Sequence, residues 1–244
     1  MNRLTIQDPK ILNNKKISFF IPASVEMMKD QVWEIFGQEQ YKKGLIKKNM
    51  TIIDCGANVG LASIYFKDWA KVIYALEPNP KNYECLVANT RQFKNIKTFN
   101  IGLAARAGKE ILRNNGDYPV GESLFGEGEV KDEVNLYSIK EFMDDQGIDH
   151  VDLLKMDTEG AEYIIFPSDG FEQVAGKIDA IVGEAHYLHK LIPEYIPLIL
   201  DEFGFKTEFL PIDNIFVTMT FMDRIEKEYK VQKQTLFFSE RKKK

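Results

Sequence analysis

Three stretches of this chain hold residue types that do chemistry. The first is Asp54-Cys55-Gly56-Ala57-Asn58-Val59-Gly60, a glycine turn headed by a carboxylate. The second is Glu77-Pro78-Asn79, where an acidic residue closes an apolar run. The third is Asp157-Thr158-Glu159-Gly160-Ala161-Glu162, followed farther on by Glu184 and His186. Glycines let a backbone turn sharply and approach a ligand closely. An acidic residue at the end of the next strand can accept both hydroxyls of a ribose. Loop and acid together specify a nucleoside.

The spacing narrows which nucleoside. Gly56-Ala57-Asn58-Val59-Gly60 lacks the middle glycine of the dinucleotide fingerprint and the Gly-Lys-Ser/Thr ending of a P-loop. Asp54 would repel a pyrophosphate but attract a sulfonium and an ammonium group. S-adenosylmethionine carries both and has no phosphate. It is the expected cofactor, held by Asp54, Gly56, Asn58, Gly60, Glu77, Asn79 and Asp157. A plain tight turn capped by Asn58 is the bland alternative, and Glu77 in the following stretch argues against it.

These residues need elements to position them. Thr51 to Asp54, Val72 to Leu76, Ile96 to Ile101, Val151 to Asp157 and Lys177 to Glu184 are short apolar runs that predict strands. Leu61, Ile64, Tyr65 and Trp69 mark one helix face, and Asn79-Pro80 is a helix start. Ser138 to Gln146 predicts a helix stopped by Gly147, and 193–203 another stopped by Gly204. Glu110 to Arg113 predicts a strand, and Asn114 to Asp117 a turn. Late strands are expected at Ile215 to Thr220 and Thr235 to Ser239, antiparallel because no crossover helix joins them. Residues 1–49 form an N-terminal extension, with a strand at Ile17 to Ile21 and a helix carrying Val25, Met28, Val32 and Ile35, packing on a catalytic domain at 50–244. Strands alternating with helices imply an α/β fold, a mostly parallel sheet covered on both faces.

Composition agrees with one such domain. The chain has 244 residues, 44% hydrophobic and 28% charged, with a net charge of -5. An acidic balance argues against a nucleic-acid partner. Arg241 to Lys244 read as a solvated basic tail. Cys55 and Cys85, one at a strand end and one on a helix, read as reduced packed thiols. No apolar run reaches membrane-spanning length, and Asp8, Lys10 and Asn13 break up any signal-peptide core. The expected compartment is the cytoplasm.

In these motifs the chain resembles the FkbM-type family of class I SAM-dependent methyltransferases. The match rests on Ile53 to Gly60, Ala75 to Asn79, Asp152 to Glu162 and Ile181 to His186. The resemblance implies a Rossmann-like, doubly wound seven-stranded sheet of order 3-2-1-4-5-7-6 with the last strand antiparallel. It implies O-methylation of a small hydroxylated acceptor, typically on a carbohydrate, nucleotide sugar, glycolipid or secondary metabolite. The weaker alternatives are a non-catalytic SAM-binding module and a methyltransferase acting on RNA or protein.

An alcohol attacks a sulfonium methyl only when a base takes its proton. His186, with an unperturbed pKa of ~6.5, is the expected base, and Asp157 the alternative. Glu159 and Glu184 complete the catalytic set, Asp157 and Glu159 facing one side if the chain stays extended. Lys155 is expected in a buried ion pair with these carboxylates. His150 and His189 receive no catalytic role. Asp157, Glu159 and Glu184 offer hard oxygen ligands suited to magnesium or calcium, but no metal-ligand spacing stands out, so no metal is assigned. Gly121 to Gly128 is a candidate acceptor lid, with Phe125 or Tyr118 placed to stack on a sugar.

Overall fold

The computed structural model describes residues 2–6, 17–22, 25–41, 45–115, 118–125, 129–186, 193–209 and 234–242. The N-terminal segment opens with an antiparallel pair, β1 (Asn2–Ile6) and β2 (Ile17–Ile21). Next come α1 (Val25–Val32) and a single π-helical turn at Trp33–Gly37. Leu4, Phe19, Ile21, Met28, Val32 and Ile35 share one apolar cluster with Ile52, Ile73 and Leu153. Side chains of the N-terminal segment thus pack in one apolar cluster with strands of the sheet.

Strands and helices then alternate: β3 (Met50–Cys55), α2 (Leu61–Phe66), β4 (Ala70–Leu76), α3 (Pro80–Thr90) and β5 (Ile96–Phe99). An insertion of short strands follows, β6 (Gly102–Leu103), β7 (Gly108–Asn115), β8 (Tyr118–Ser123) and β9 (Val130–Tyr137). After α4 (Ile139–Gln146) come β10 (Val151–Met156), α5 (Glu162–Ile165), α6 (Asp169–Ala175) and β11 (Ile178–His186). The chain closes with α7 (Tyr195–Glu202), β12 (Phe205–Phe209) and β13 (Gln234–Arg241).

The main sheet runs β5-β4-β3-β10-β11-β13-β12. Numbered along the chain, its seven strands stand in the order 3-2-1-4-5-7-6. β13 is antiparallel to β11 and to β12, and the pairs from β5 to β11 are parallel. This is the expected Rossmann-like sheet. Neighbouring residues serve opposite faces: Ile52, Leu153 and Val182 enter one apolar cluster, Ile53, Leu154 and Ile181 the other. Burial on both sides explains why these strands are continuously apolar rather than alternating.

Caps fix the helices that flank the site. Asn79 Oδ1 accepts the N–H groups of Lys81 and Asn82, with Pro80 in the first turn of α3. Ser138 and Glu141 form a reciprocal capping box on α4, which Gly147 closes. Each such cap contributes about 1 kcal/mol.

Several expectations need correction. The partner of β13 is β12, a five-residue strand of alternating buried and exposed residues at the sheet edge; Ile215 to Thr220 lie outside the described residues. β6, β7, β8 and β9 form a second, four-stranded sheet of order β6-β9-β7-β8 around Ala104, Leu112, Val134 and Leu136. Asn114 and Asn115 belong to β7 rather than to a turn, and Gly116 and Asp117 lie outside the described residues. Trp69 sits past the end of α2, whose six residues are all buried. Arg241 is no part of a solvated tail. Its Nε donates to Ile178 O at 2.8 Å and its guanidinium lies 4.8 Å from the Phe205 ring centroid. Cys55 and Cys85 are buried free thiols. No helix among the described residues is long and apolar enough to cross a membrane.

Candidate active site

Strand order reverses between β3 and β10, the place where open α/β sheets bind ligands beyond their strand ends. The glycine loop leaves β3 there. Gly56 and Ala57 donate their N–H groups to Leu76 O at 3.0 and 2.9 Å, so the loop hangs from the end of β4. Gly56 has a φ of 73°, and a Cβ at that position would collide with the carbonyl oxygen of Asp157. The glycine is thus demanded by the neighbouring acidic turn. Asn58 also takes a left-handed φ of 50°.

Glu77 ties this loop to α3. Its two carboxylate oxygens accept Asn58 N–H at 2.8 Å and Asn79 N–H at 2.9 Å. Burial pushes its carboxyl up to about 7, against the pull of those two donors. Asp54 lies beneath the loop, fully buried, accepting the Ser63 hydroxyl at 2.6 Å. Its other oxygen is 3.3 Å from Lys155 Nζ, and that ammonium also donates to Gly56 O at 2.9 Å. Lys155 reaches Asp157 as well, at 3.4 Å. The expected buried ion pair is present, and it joins the glycine loop to the acidic turn.

Beyond Met156 the chain does not stay extended. Glu159 has φ 52° and Gly160 φ 101°, so a turn rather than strand parity presents the carboxylates. They still gather on His186. Its Nε2 lies 3.6 Å from Glu159 Oε2 and 3.9 Å from Asp157 Oδ1, and its Nδ1 lies 3.5 Å from Glu162 Oε1. Glu184, two residues earlier on β11, shares the cluster with Asp157 and His186.

Tyr41 and Tyr163 carried no signal in the sequence, and Ser123 was read only as part of the candidate lid. The Tyr41 hydroxyl, buried, donates to Glu184 Oε1 at 3.3 Å from the N-terminal segment. Ser123 Oγ donates to Glu159 O at 2.6 Å, so the end of β8 braces the acidic turn. Tyr163 donates its hydroxyl to His186 O at 2.7 Å. Glu162, read only as part of the acidic run, is fully buried and accepts both the N–H and the hydroxyl of Thr158 at 2.8 and 2.9 Å. Phe125 packs against the main apolar cluster. The Tyr118 side chain, Gly126 to Gly128 and His189 lie outside the described residues. His150 sits at the far end of the sheet, 3.2 Å from Asp179.

The cluster is strongly acidic. Burial opposes charge on Lys155, but Asp54, Asp157 and Glu184 outweigh it and hold the ammonium more firmly than usual. Burial likewise opposes charge on His186, and Glu159, Glu162 and Asp157 overcome it, so the imidazole holds its proton well above its ordinary range. Glu159 is pushed up to about 7, and Glu184 is raised, in both cases chiefly by burial. Glu162 is lowered despite its burial, by His186 and the Thr158 N–H.

A Rossmann-like sheet with a glycine loop and an acidic cluster at its carboxyl edge defines a group-transfer enzyme of the class I methyltransferase architecture. Residues 54–207 match the Methyltransferase FkbM domain, and the chain belongs to that family of methyltransferases. It is 28% identical to the methyltransferase sdnD of Sordaria araneosa, over 63% of this chain and 73% of that one. An rRNA methylase from Streptococcus thermophilus shares the fold at a TM-score of 0.50, with 9% identity over 86% of this chain and 96% of that chain. Methyltransferase FkbM from Methylobacillus flagellatus aligns at a TM-score of 0.49 and 14% identity, over 82% of this chain and 46% of that one.

Proposed function

We propose that the protein is a SAM-dependent O-methyltransferase acting on a hydroxyl of a small acceptor, a carbohydrate or nucleotide sugar of polysaccharide, glycolipid or secondary-metabolite biosynthesis. The observation that carries this reading is that Lys155 joins the glycine loop, at Gly56 O, to the acidic turn, at Asp157. The cradle fits S-adenosylmethionine. Both Glu77 oxygens are held by N–H donors, and each keeps a lone pair with which to accept a ribose hydroxyl. The surplus of carboxylates suits a cofactor bearing two cationic groups. When bound, that cofactor supplies a sulfonium methyl to an attacking oxygen.

In this reading Gly56, Asn58 and Gly60 shape the adenosine side, with Asn79 fixing α3 beside Glu77. Asp54 acts from below, its charge already shared with Lys155 and Ser63. Asp157 stands at the boundary between cofactor and acceptor. Glu159 takes the hydroxyl proton, because its side chain is a third exposed whereas those of His186 and Glu184 are almost closed off. His186 and Glu184 stand behind Asp157 and Glu159 and support them. We place the enzyme in the cytoplasm, with Cys55 and Cys85 as thiols.

Calorimetry with S-adenosylhomocysteine tests the cradle, and incubation of labelled S-adenosylmethionine with a panel of sugars and nucleotide sugars tests the transfer. Absence of S-adenosylhomocysteine binding refutes the reading at its base. Binding accompanied by label transfer only to RNA or protein refutes the small acceptor.

A further inference from the structure

We propose that Asp157, Glu184 and His186 form a binding site for one divalent cation of the manganese or magnesium type. The proposal deepens the O-methyltransferase reading, and rests on it for the cation's role, though not for its binding. Glu184 and His186 lie two residues apart on β11, and Asp157 follows the end of the neighbouring β10. In the folded chain each presents one ligand atom, and these atoms all lie within 4.8 Å of one another. Three ligands on one ion at ~2.1 Å stand roughly 3–4 Å apart, so closing the site asks for side-chain movements below about 1 Å.

An independent observation concerns His186. Its imidazole is 2% exposed, and neither ring nitrogen makes a hydrogen bond. Nδ1 faces Glu162, which Thr158 clamps by two hydrogen bonds. A carboxylate behind one nitrogen is the arrangement that orients a metal-ligating histidine and leaves its other nitrogen for the ion. That other nitrogen, Nε2, points among Asp157 and Glu159. Glu184 is likewise held from behind, by Tyr41.

Charge argues in the same direction. Among the described residues, the carboxylates of Asp157, Glu159, Glu162 and Glu184 surround the single His186 imidazole, with Lys155 as the ammonium that reaches Asp157. A dication suits so oxygen-rich a setting. Two carboxylates with one imidazole suit manganese, which accepts both donor types, better than calcium, which favours oxygen throughout. A cation there takes the acceptor hydroxyl as a further ligand and lowers its pKa, leaving Glu159 beside it to receive the proton.

The second cluster able to hold a cation, His150, Asp152 and Asp179, supplies the control. His150 is half exposed, and Asp152 accepts the Thr51 N–H at 2.7 Å. Manganese is titrated into the full chain and free ion is read by electron paramagnetic resonance. The expected result is one bound ion, unaffected by His150→Ala and weakened at least ~10-fold by Glu184→Gln. Circular dichroism checks that the variants fold. Electron spin-echo measurements on the His150→Ala protein should show nitrogen coupling from one imidazole, an outcome that needs no buried substitution. No binding at millimolar manganese, no nitrogen coupling, or binding lost in His150→Ala and kept in Glu184→Gln overturns the proposal. Calorimetry with S-adenosylhomocysteine in chelator separates the two readings: lost cofactor binding with retained manganese sinks only methyl transfer, and the converse sinks only the cation site.

Discussion

Replacing Lys155 by Met is the most informative single perturbation of this fold. The side chain is 2% exposed, and its ammonium meets Asp54 at 3.3 Å, Asp157 at 3.4 Å and the Gly56 carbonyl at 2.9 Å. Methionine keeps the stem's volume and removes only the charge and its hydrogen bonds. Asp54 is then left fully buried with its charge met only by the Ser63 hydroxyl. Breaking a buried pair in this way costs ~3–5 kcal/mol. For a chain of this size each kcal/mol lowers Tm by ~2–4 °C, so the expected drop is roughly 6–20 °C. Adding Asp54→Asn removes the stranded charge while its carbonyl still accepts from Ser63. The double variant should therefore be more stable than the sum of the single losses, by ~2 kcal/mol or more in a double-mutant cycle. Denaturant unfolding, with calorimetric Tm as a check, supplies all four corners. A drop under about 3 °C, or strictly additive losses, would refute the claim that Lys155 joins the two loops electrostatically.

Other expectations follow from the same geometry. Glu77 gains its charge only as pH passes about 7, so S-adenosylhomocysteine affinity should rise between pH 6 and 8; an equal pH slope in Glu77→Gln would remove Glu77 as its cause. Gly56→Ala forces a side chain into a left-handed φ of 73° and against the Asp157 carbonyl, and should lose more than tenfold in S-adenosylhomocysteine affinity by calorimetry. Glu159→Gln should cut kcat by ~10²–10⁴ while sparing cofactor affinity, and unchanged turnover would strip it of the proton-accepting role. Arg241→Ala, losing its bond to Ile178 O and its place over Phe205, should cost ~1–3 kcal/mol in urea unfolding. A solvated tail residue would cost nothing measurable.

What the sequence displays and what it hides divide along physical lines. Strands buried on both faces write themselves as apolar runs, which is why β3, β4, β10 and β11 were legible and the loops at their ends with them. Caps are local too, so Ser138, Gly147 and Asn79 announced α4 and α3. Edge and insertion strands were legible only in part: β5 and the middle of β7 were read as strands, whereas β8, β9 and β12 were not. β12 has one fully buried residue, Phe205, amid Lys206 and Glu208, and β7 and β9 carry Lys109 and Glu133 outward. Such strands are defined by their partners rather than by their own composition. Tyr41 meets Glu184 across 143 residues of chain, and no local pattern encodes that pairing.

The same distinction explains why the acidic turn was found for partly the wrong reason. Strand parity placed Asp157 and Glu159 on one side, yet the chain bends at Glu159, and positive φ at Glu159 and Gly160 brings the carboxylates round to His186. That bend is strained for a glutamate, and its surroundings hold it: Ser123 on the Glu159 carbonyl, Glu162 on the Thr158 N–H, and the Asp157 carbonyl against Gly56. Strained backbone persists where neighbours over-determine it, and it concentrates where function needs a fixed geometry. The brace from Ser123 comes from the four-stranded insertion and the brace from Gly56 comes from the cofactor loop. The acidic turn is therefore set from two sides, and a change at either reaches Glu159 before it reaches the sheet.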